Sequence, residues 1–218
     1  MNLADLASKL IEYESRTYHD QTGKPIIDLD NKFAIFGIRG YTLPNNVLTK
    51  NDDKINAYND SLILLRKTTQ LECHSYNATL DPGLTWLRMA MNPLGTARLK
   101  EGLYKYKIGI HRGHPALNQD SQVTVQRYKE HSDQSPWVSW KEEKPSVFQT
   151  GWFGIDIHAK STPSEEVNAA SAGCSVVDST WEGSLWKEFF GFIQSVKATQ
   201  SFYYYCVLDQ ATVDGLVQ

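Results

Sequence analysis

What most constrains this chain is how its apolar residues are grouped: in runs of four to ten residues, bounded mostly by polar or turn-forming residues. The runs fall at 33–38, 61–65, 70–79, 102–110, 123–128, 153–158, 174–177 and 202–208, and Tyr, Val, Ile and Thr are frequent in them. Those lengths and residue types suit strands, because β-branched and aromatic side chains pack well on a pleated surface. Asp81-Pro82-Gly83, Asn92-Pro93-Leu94-Gly95 and Arg112-Gly113-His114-Pro115 punctuate the runs as turns. A mainly β domain is expected.

Two stretches read differently. Leu3, Leu6, Ala7, Leu10 and Ile11 recur at helical spacing and predict an amphipathic opening helix. Trp181, Leu185, Phe189 and Ile193, with Trp186 and Phe190 beside them, predict a second helix with a core-facing stripe. Residues 1–30 are assigned to an N-terminal helical extension and 31–218 to one domain. Residues 129–150 are polar apart from Trp137, Trp140, a valine pair and Phe148, and are read as a long loop or lid. Tryptophans in such a loop either stack on a ligand or pin the loop to the core.

Several function classes lose support at this level. The net charge is −3 with no long basic run, which argues against nucleic acid as partner. No window approaches the ~20 apolar residues of a membrane span. The N-terminus lacks a positive segment followed by an apolar one, so no Sec signal peptide is expected. Three cysteines are too few, and odd in number, for a disulfide framework. His19, His74 and His131 are scattered, and HExxH, CxxC and the glycine fingerprints of nucleotide sites are missing, so neither metal nor cofactor is expected. A monomer is expected.

The stretch with chemistry in it is Gly151-Trp-Phe-Gly-Ile-Asp-Ile-His158, a 12-residue polar loop, then Ser171-Ala-Gly-Cys-Ser-Val-Val177. In an extended strand Phe153, Ile155 and Ile157 share one face, which leaves Asp156 and His158 together on the other, accessible one. Cys174 follows Ala172 and Gly173, small residues that let backbone N–H groups face a substrate. A thiol at a Gly-lined strand start with an imidazole in reach is what a cysteine nucleophile needs, and its pKa is expected below the ~8.5 of a free thiol. The plainer account, an inert small hydrophobe in a β-rich core, is assigned to Cys73 and Cys206.

These blocks resemble the L,D-transpeptidase (YkuD-like) catalytic domain family, whose signature is a strand-end His, a loop, then Ser/Thr-His-Gly-Cys and a short apolar strand. His158 matches the first His, and Ser171, Gly173 and Cys174 match the second block. Asn92-Pro93-Leu94-Gly95 approximates the family's Thr-Pro-x-Gly turn ahead of a strand at 96–104. A helix at 181–196 and a closing strand at 202–208 follow in order. The resemblance implies a YkuD-like β-sandwich or barrel with two or three helices: the N-terminal one and one after the catalytic Cys. It implies that Cys174 forms a thioester with a peptidoglycan stem peptide while His158 moves the proton. Asp156 or the Ala159 carbonyl would fix the imidazole tautomer. A divergent phage-encoded, cell-wall-degrading branch is one form of this expectation.

Two departures shape the reaction expected. Ala172 stands where the family has His, and Val176 where it has Asn or Arg, so acceptor-side polar groups are missing and hydrolysis is expected over transfer. His111, Arg112 and Arg127 are candidate substrate contacts, a guanidinium being suited to a peptide carboxylate. The alternatives are an L,D-transpeptidase proper and a non-catalytic wall-binding or virion-associated module. A sortase-like enzyme would need an Arg after the Cys, and none follows Arg127. A papain-like or NlpC-type enzyme places Cys before His. Made in the cytoplasm, the protein would reach the wall through a holin, a virion or a secretion system.

Overall fold

The computed structural model describes residues 1–129 and 137–218; His131 and the rest of 130–136 lie outside the described residues. In chain order the elements are α1 (Leu3–Thr17), β1 (Ala34–Ile38), β2 (Tyr41–Thr42), β3 (Thr49–Lys50), β4 (Asp60–Lys67), β5 (Leu71–Thr79), α2 (Leu84–Arg88), β6 (Thr96–Leu99) and β7 (Gly102–His111). They continue with β8 (His114–Gln119), β9 (Val123–Tyr128), β10 (Val147–Gly151), β11 (Ile157–Lys160), β12 (Ser175–Thr180), α3 (Ser184–Ser195), β13 (Tyr203–Leu208) and α4 (Gln210–Val217). The protein is mainly β, 39% strand against 22% helix. Among the described residues there are four α-helices, against the two or three expected. The five residues of α2 are too few to show a period, and α4 buries only Gln210 and Val213.

Eight strands close a barrel in the order β1-β13-β7-β8-β11-β12-β5-β4. The pairs β1–β13 and β11–β12 are parallel, and the other neighbours are antiparallel. Alternation along the strands sorts the core into two layers. Ile35, Leu62, Leu64, Tyr106, Leu117, Ile157, Val177 and Tyr205 pack inside the barrel. Their neighbours Ala34, Phe36, Ile38, Ile63, Leu65, Cys206 and Leu208 pack outside it, against Leu3, Leu6, Ala7 and Leu10 of α1 and Val213 of α4. Strands buried on both faces must be apolar at nearly every position, which is why β1 and β13 read as unbroken runs. The opening helix, capped by Asn2 accepting from the Asp5 N–H at 2.8 Å, is thus packed onto the barrel wall.

A separate sheet β10-β9-β6 stands beside the barrel. Two expectations change here. Residues 96–104 are not one strand: β6 pairs with β9 in this sheet, and β7 belongs to the barrel. The stretch 129–150 is not all loop, because Val147–Gly151 pairs along β9. Trp140 is buried against Ile55, Leu87 and Tyr128 with the Arg98 guanidinium 4.6 Å over its ring.

One end of the barrel is closed by buried charge. Arg39, fully buried, donates to Asp81 and Asp209 at 2.7 Å each and to the Leu80 and Leu99 carbonyls. Arg98 forks onto both oxygens of Asp81, at 2.7 and 2.9 Å. Burial alone would raise Asp81, but the two guanidiniums outweigh it and hold its carboxyl below the usual range. Asp60, accepting from the Gly40 and Leu80 N–H groups, is driven the other way by burial and then by the charges of Asp81 and Asp53. The turn after Asp81 runs directly into the candidate site, where the Gly83 N–H donates to the Ser171 carbonyl at 2.9 Å.

Candidate active site

Parallel pairing of β11 with β12 sets His158 opposite Val176 and Ile157 opposite Ser175. Ile157 and Val177 point into the barrel, so His158, Cys174 and Val176 share its outer wall. That wall is covered. Tyr58, Val167 and Ala170 pack over Cys174 and Val176, leaving Cys174 7% and His158 4% exposed. The expected accessible face for Asp156 and His158 is therefore corrected: alternation is right, but Asp156 too is 8% exposed. The strand also starts later than expected, at Ile157, because Gly154 sits at φ +67° and breaks the extended run.

The turn before Cys174 is held from within. Ser171 Oγ, fully buried, donates to the Cys174 carbonyl at 2.7 Å and accepts from the Gly173 N–H at 3.1 Å. Gly173 lies at φ +134°, and a Cβ there would come within 2.6 Å of the Ala97 carbonyl oxygen. Ser171 and Gly173 thus shape the turn that presents the thiol, and the Gly173 N–H, expected to face a substrate, is already committed. On the other side, Gln119 Oε1 accepts from three successive N–H groups, Phe153, Gly154 and Ile155, at 3.1 to 3.3 Å. This fixes the segment that cradles Sγ, with the Asp156 N–H at 3.4 Å and the Gly154 carbonyl at 3.6 Å.

His158 Nδ1 bonds the Ala159 carbonyl at 2.6 Å, so of the two groups expected to fix its tautomer the carbonyl does so. Nε2 is left with its lone pair. Asp156 instead holds His111, whose Nδ1 lies 2.9 Å from Oδ2. His111 ends β7, where the two-residue turn Arg112-Gly113, at φ +50° and +86°, pairs His111 with His114 across the hairpin. The His111 ring stacks on His158 with centroids 4.1 Å apart and planes 10° apart. One ligand atom each of His111, His158 and Cys174 lies within 4.8 Å of the others.

Electrostatics keep the pair neutral. Burial pushes the Cys174 thiol up to about 12, with the Asp156 N–H opposing the shift. Burial also pulls the His158 imidazole down to about 4; the Ala159 carbonyl works against this and His111 adds to it. A resting thiolate–imidazolium pair, implied by the expected low pKa, gives way to a thiol beside a neutral base.

A cleft of about 340 Å³ opens beside these groups, lined by His111, Arg112, His158, Lys160 and Trp181 and by the loop from Ser161 to Ala170. Cys174 is not part of its lining. Arg112, a candidate substrate contact, lines this cleft. Arg127 does not: buried in β9, it donates to Gln149 and to the Gly95 carbonyl and lies over the Phe153 ring. Trp181, read as part of a helical stripe, precedes α3 and forms cleft wall, stacked on His114 at 4.5 Å, while Leu185 of that stripe is exposed. The signal for this was Gly183, two residues after Trp181, which caps α3 and so excludes the tryptophan from it.

Two donor sets among the described residues are compact enough to be weighed as cation ligands: His111, His158 and Cys174, and Asp53, Asp60 and Asp81. In the first, parallel ring planes cannot both contain one ion, so one imidazole would have to turn for both to ligate. In the second, every Asp81 oxygen already accepts from a guanidinium. No protein-family model, curated protein or solved structure matches the chain.

Proposed function

We propose that the protein is a cysteine enzyme that cleaves peptide bonds in the stem peptides of peptidoglycan. The observation that carries this reading is the meeting of the Cys174 thiol with the His158 imidazole beside a cleft lined by Arg112 and Trp181. With Nδ1 tied to the Ala159 carbonyl, Nε2 of His158 takes the thiol proton as sulfur attacks the amide carbonyl. Proton transfer accompanies attack, since both groups rest neutral. The Asp156 N–H then stabilises charge on sulfur. A thioester forms, the amine departs, and water finishes the reaction. The resemblance of the His158 and Ser171–Cys174 blocks to L,D-transpeptidases supports the substrate class. Ala172 and Val176 support hydrolysis over transfer, Val176 being fully buried against Cys174 and so offering nothing to an acceptor.

The test is incubation with purified peptidoglycan and mass analysis of the soluble fragments. Wild type releases stem fragments and Cys174→Ala releases none; equal release by both would reject the nucleophile, and cross-linked dimers as main product would make the protein a transferase. A second reading, a wall-binding module without turnover, is favoured by one observation: Cys174 lies outside the cleft lining. Sedimentation of wild type with peptidoglycan, unaccompanied by fragment release, would select it.

A further inference from the structure

The histidine that faces both reacting groups is not accounted for by a single Cys–His pair. His111 comes from a different hairpin, is oriented by its own carboxylate, and lines the cleft that His158 lines. A carboxylate on Nδ1 fixes the tautomer and leaves Nε2 as the working nitrogen, the usual way a protein aims an imidazole. Its stacking on His158 means that two protons cannot be stored on the two rings without repulsion across 4.1 Å between centroids. Only one of the two rings can therefore carry an extra proton at a time, which leaves the other a free base. Amide cleavage needs both functions, a base for the thiol and an acid for the departing amine.

We propose that His111, held by Asp156, is a second catalytic residue: the general acid for the leaving amine and the general base for water. The inference rests on the cysteine-peptidase reading above. The cycle begins with Cys174 as thiol, His158 neutral and His111 carrying protons on both ring nitrogens, one of them on Asp156. Sulfur attacks the carbonyl, and as its proton passes to His158 the amide nitrogen takes the Nε2 proton of His111, so the pair never carries more than one extra proton. The C–N bond breaks, leaving a thioester, a protonated His158 and a neutral His111. Water then gives a proton to His111 as its oxygen attacks the thioester, while the C–S bond breaks and sulfur recovers its proton from His158. Amine and acid are released and every group regains its starting proton.

This division of labour separates experimentally through the leaving group. Nitrophenolate departs without a proton, whereas an amine cannot. Wild type, His111→Gln and Asp156→Asn are compared on purified peptidoglycan and in the nitrophenolate burst from 4-nitrophenyl acetate, which reports acylation of Cys174. His111→Gln is expected to slow peptidoglycan cleavage by about 100-fold or more and to leave the burst within about threefold of wild type. Asp156→Asn is expected to follow in direction with a smaller loss. An intact burst also shows that the variant has folded around its thiol. Equal loss on both substrates, or no loss on either, overturns the assignment while leaving the cysteine peptidase standing. A wild type that acylates with 4-nitrophenyl acetate but leaves peptidoglycan intact rejects the stem-peptide reading instead.

Discussion

Alkylation of Cys174 by iodoacetamide is the sharpest probe of the resting site. Only the thiolate reacts, and burial moves this thiol from its ordinary 9.0 to about 12. Three decades less thiolate at any pH below 9 corresponds to about 4 kcal/mol favouring the protonated form. Native Cys174 is therefore expected to alkylate about 1,000-fold more slowly near pH 8 than the same cysteine in guanidinium-unfolded chain. Intact-mass kinetics with peptide mapping, from pH 6 to 10.5, resolves it from Cys73 and Cys206. Steric occlusion would lower the rate equally at every pH, whereas thiol protonation makes the logarithm of the rate climb with unit slope past pH 9. His158→Gln is expected to leave this resting rate within a few-fold, because a neutral imidazole contributes no ion pair, and yet to abolish turnover. A native rate that levels off near pH 6–7 would refute the neutral-pair reasoning and restore a preformed thiolate.

Three further outcomes follow from the geometry. Above pH ~6.5 both folded and unfolded chains hold His158 neutral; as pH falls towards 4 only the unfolded chain takes up the proton, so this contribution to stability is lost, to a limit of about 3 kcal/mol. Denaturant titrations between pH 7 and 4 should show that fall, and His158→Gln should flatten it. Ser171→Ala strips partners from the Cys174 carbonyl and the Gly173 N–H; a loss of ~1–3 kcal/mol per buried group is expected in urea unfolding, with lowered activity in the fraction still folded. Asp81→Asn leaves Arg39 and Arg98 without their shared carboxylate, and a destabilisation of about 3–5 kcal/mol should appear as a large drop in Tm.

Strands buried on both faces announced themselves in the sequence, since β1, β4 and β13 must be apolar or aromatic along much of their length. The strands that went unread are those that obey no such rule. His114-Pro115 opens β8 with two exposed residues, and Val147–Gly151 alternates around Phe148, which is itself exposed. The nearness of Cys174 to His158 was legible because the cysteine directly precedes the strand that pairs in parallel with the strand of the histidine. The His111–Asp156 pair was not, for its members are 45 residues apart and meet only through the neighbouring β8 strand. Arg127 shares a face with Val123 and Val125, but a sequence pattern cannot say that this face turns towards Gln149. The thiol's neutrality was also hidden, because it depends on Tyr58 and Val167, residues from two other loops, closing over it.

The parallel pairing of Ile35 with Tyr205 carries a consequence for biosynthesis. Strand β1 leaves the ribosome before the other barrel strands, yet one of its two barrel neighbours is made 170 residues later, roughly 10–30 s at ordinary elongation rates. Throughout that interval Phe36 and Ile38 have α1 and β4 for shelter on one side and an unfilled row of backbone donors and acceptors on the other. The nascent chain thus holds a hairpin-and-helix fragment with one sticky edge while the segments bearing His158 and Cys174 are still being added. The ring can close only once β13 has been made, after the β11–β12 pair that brings Cys174 beside His158.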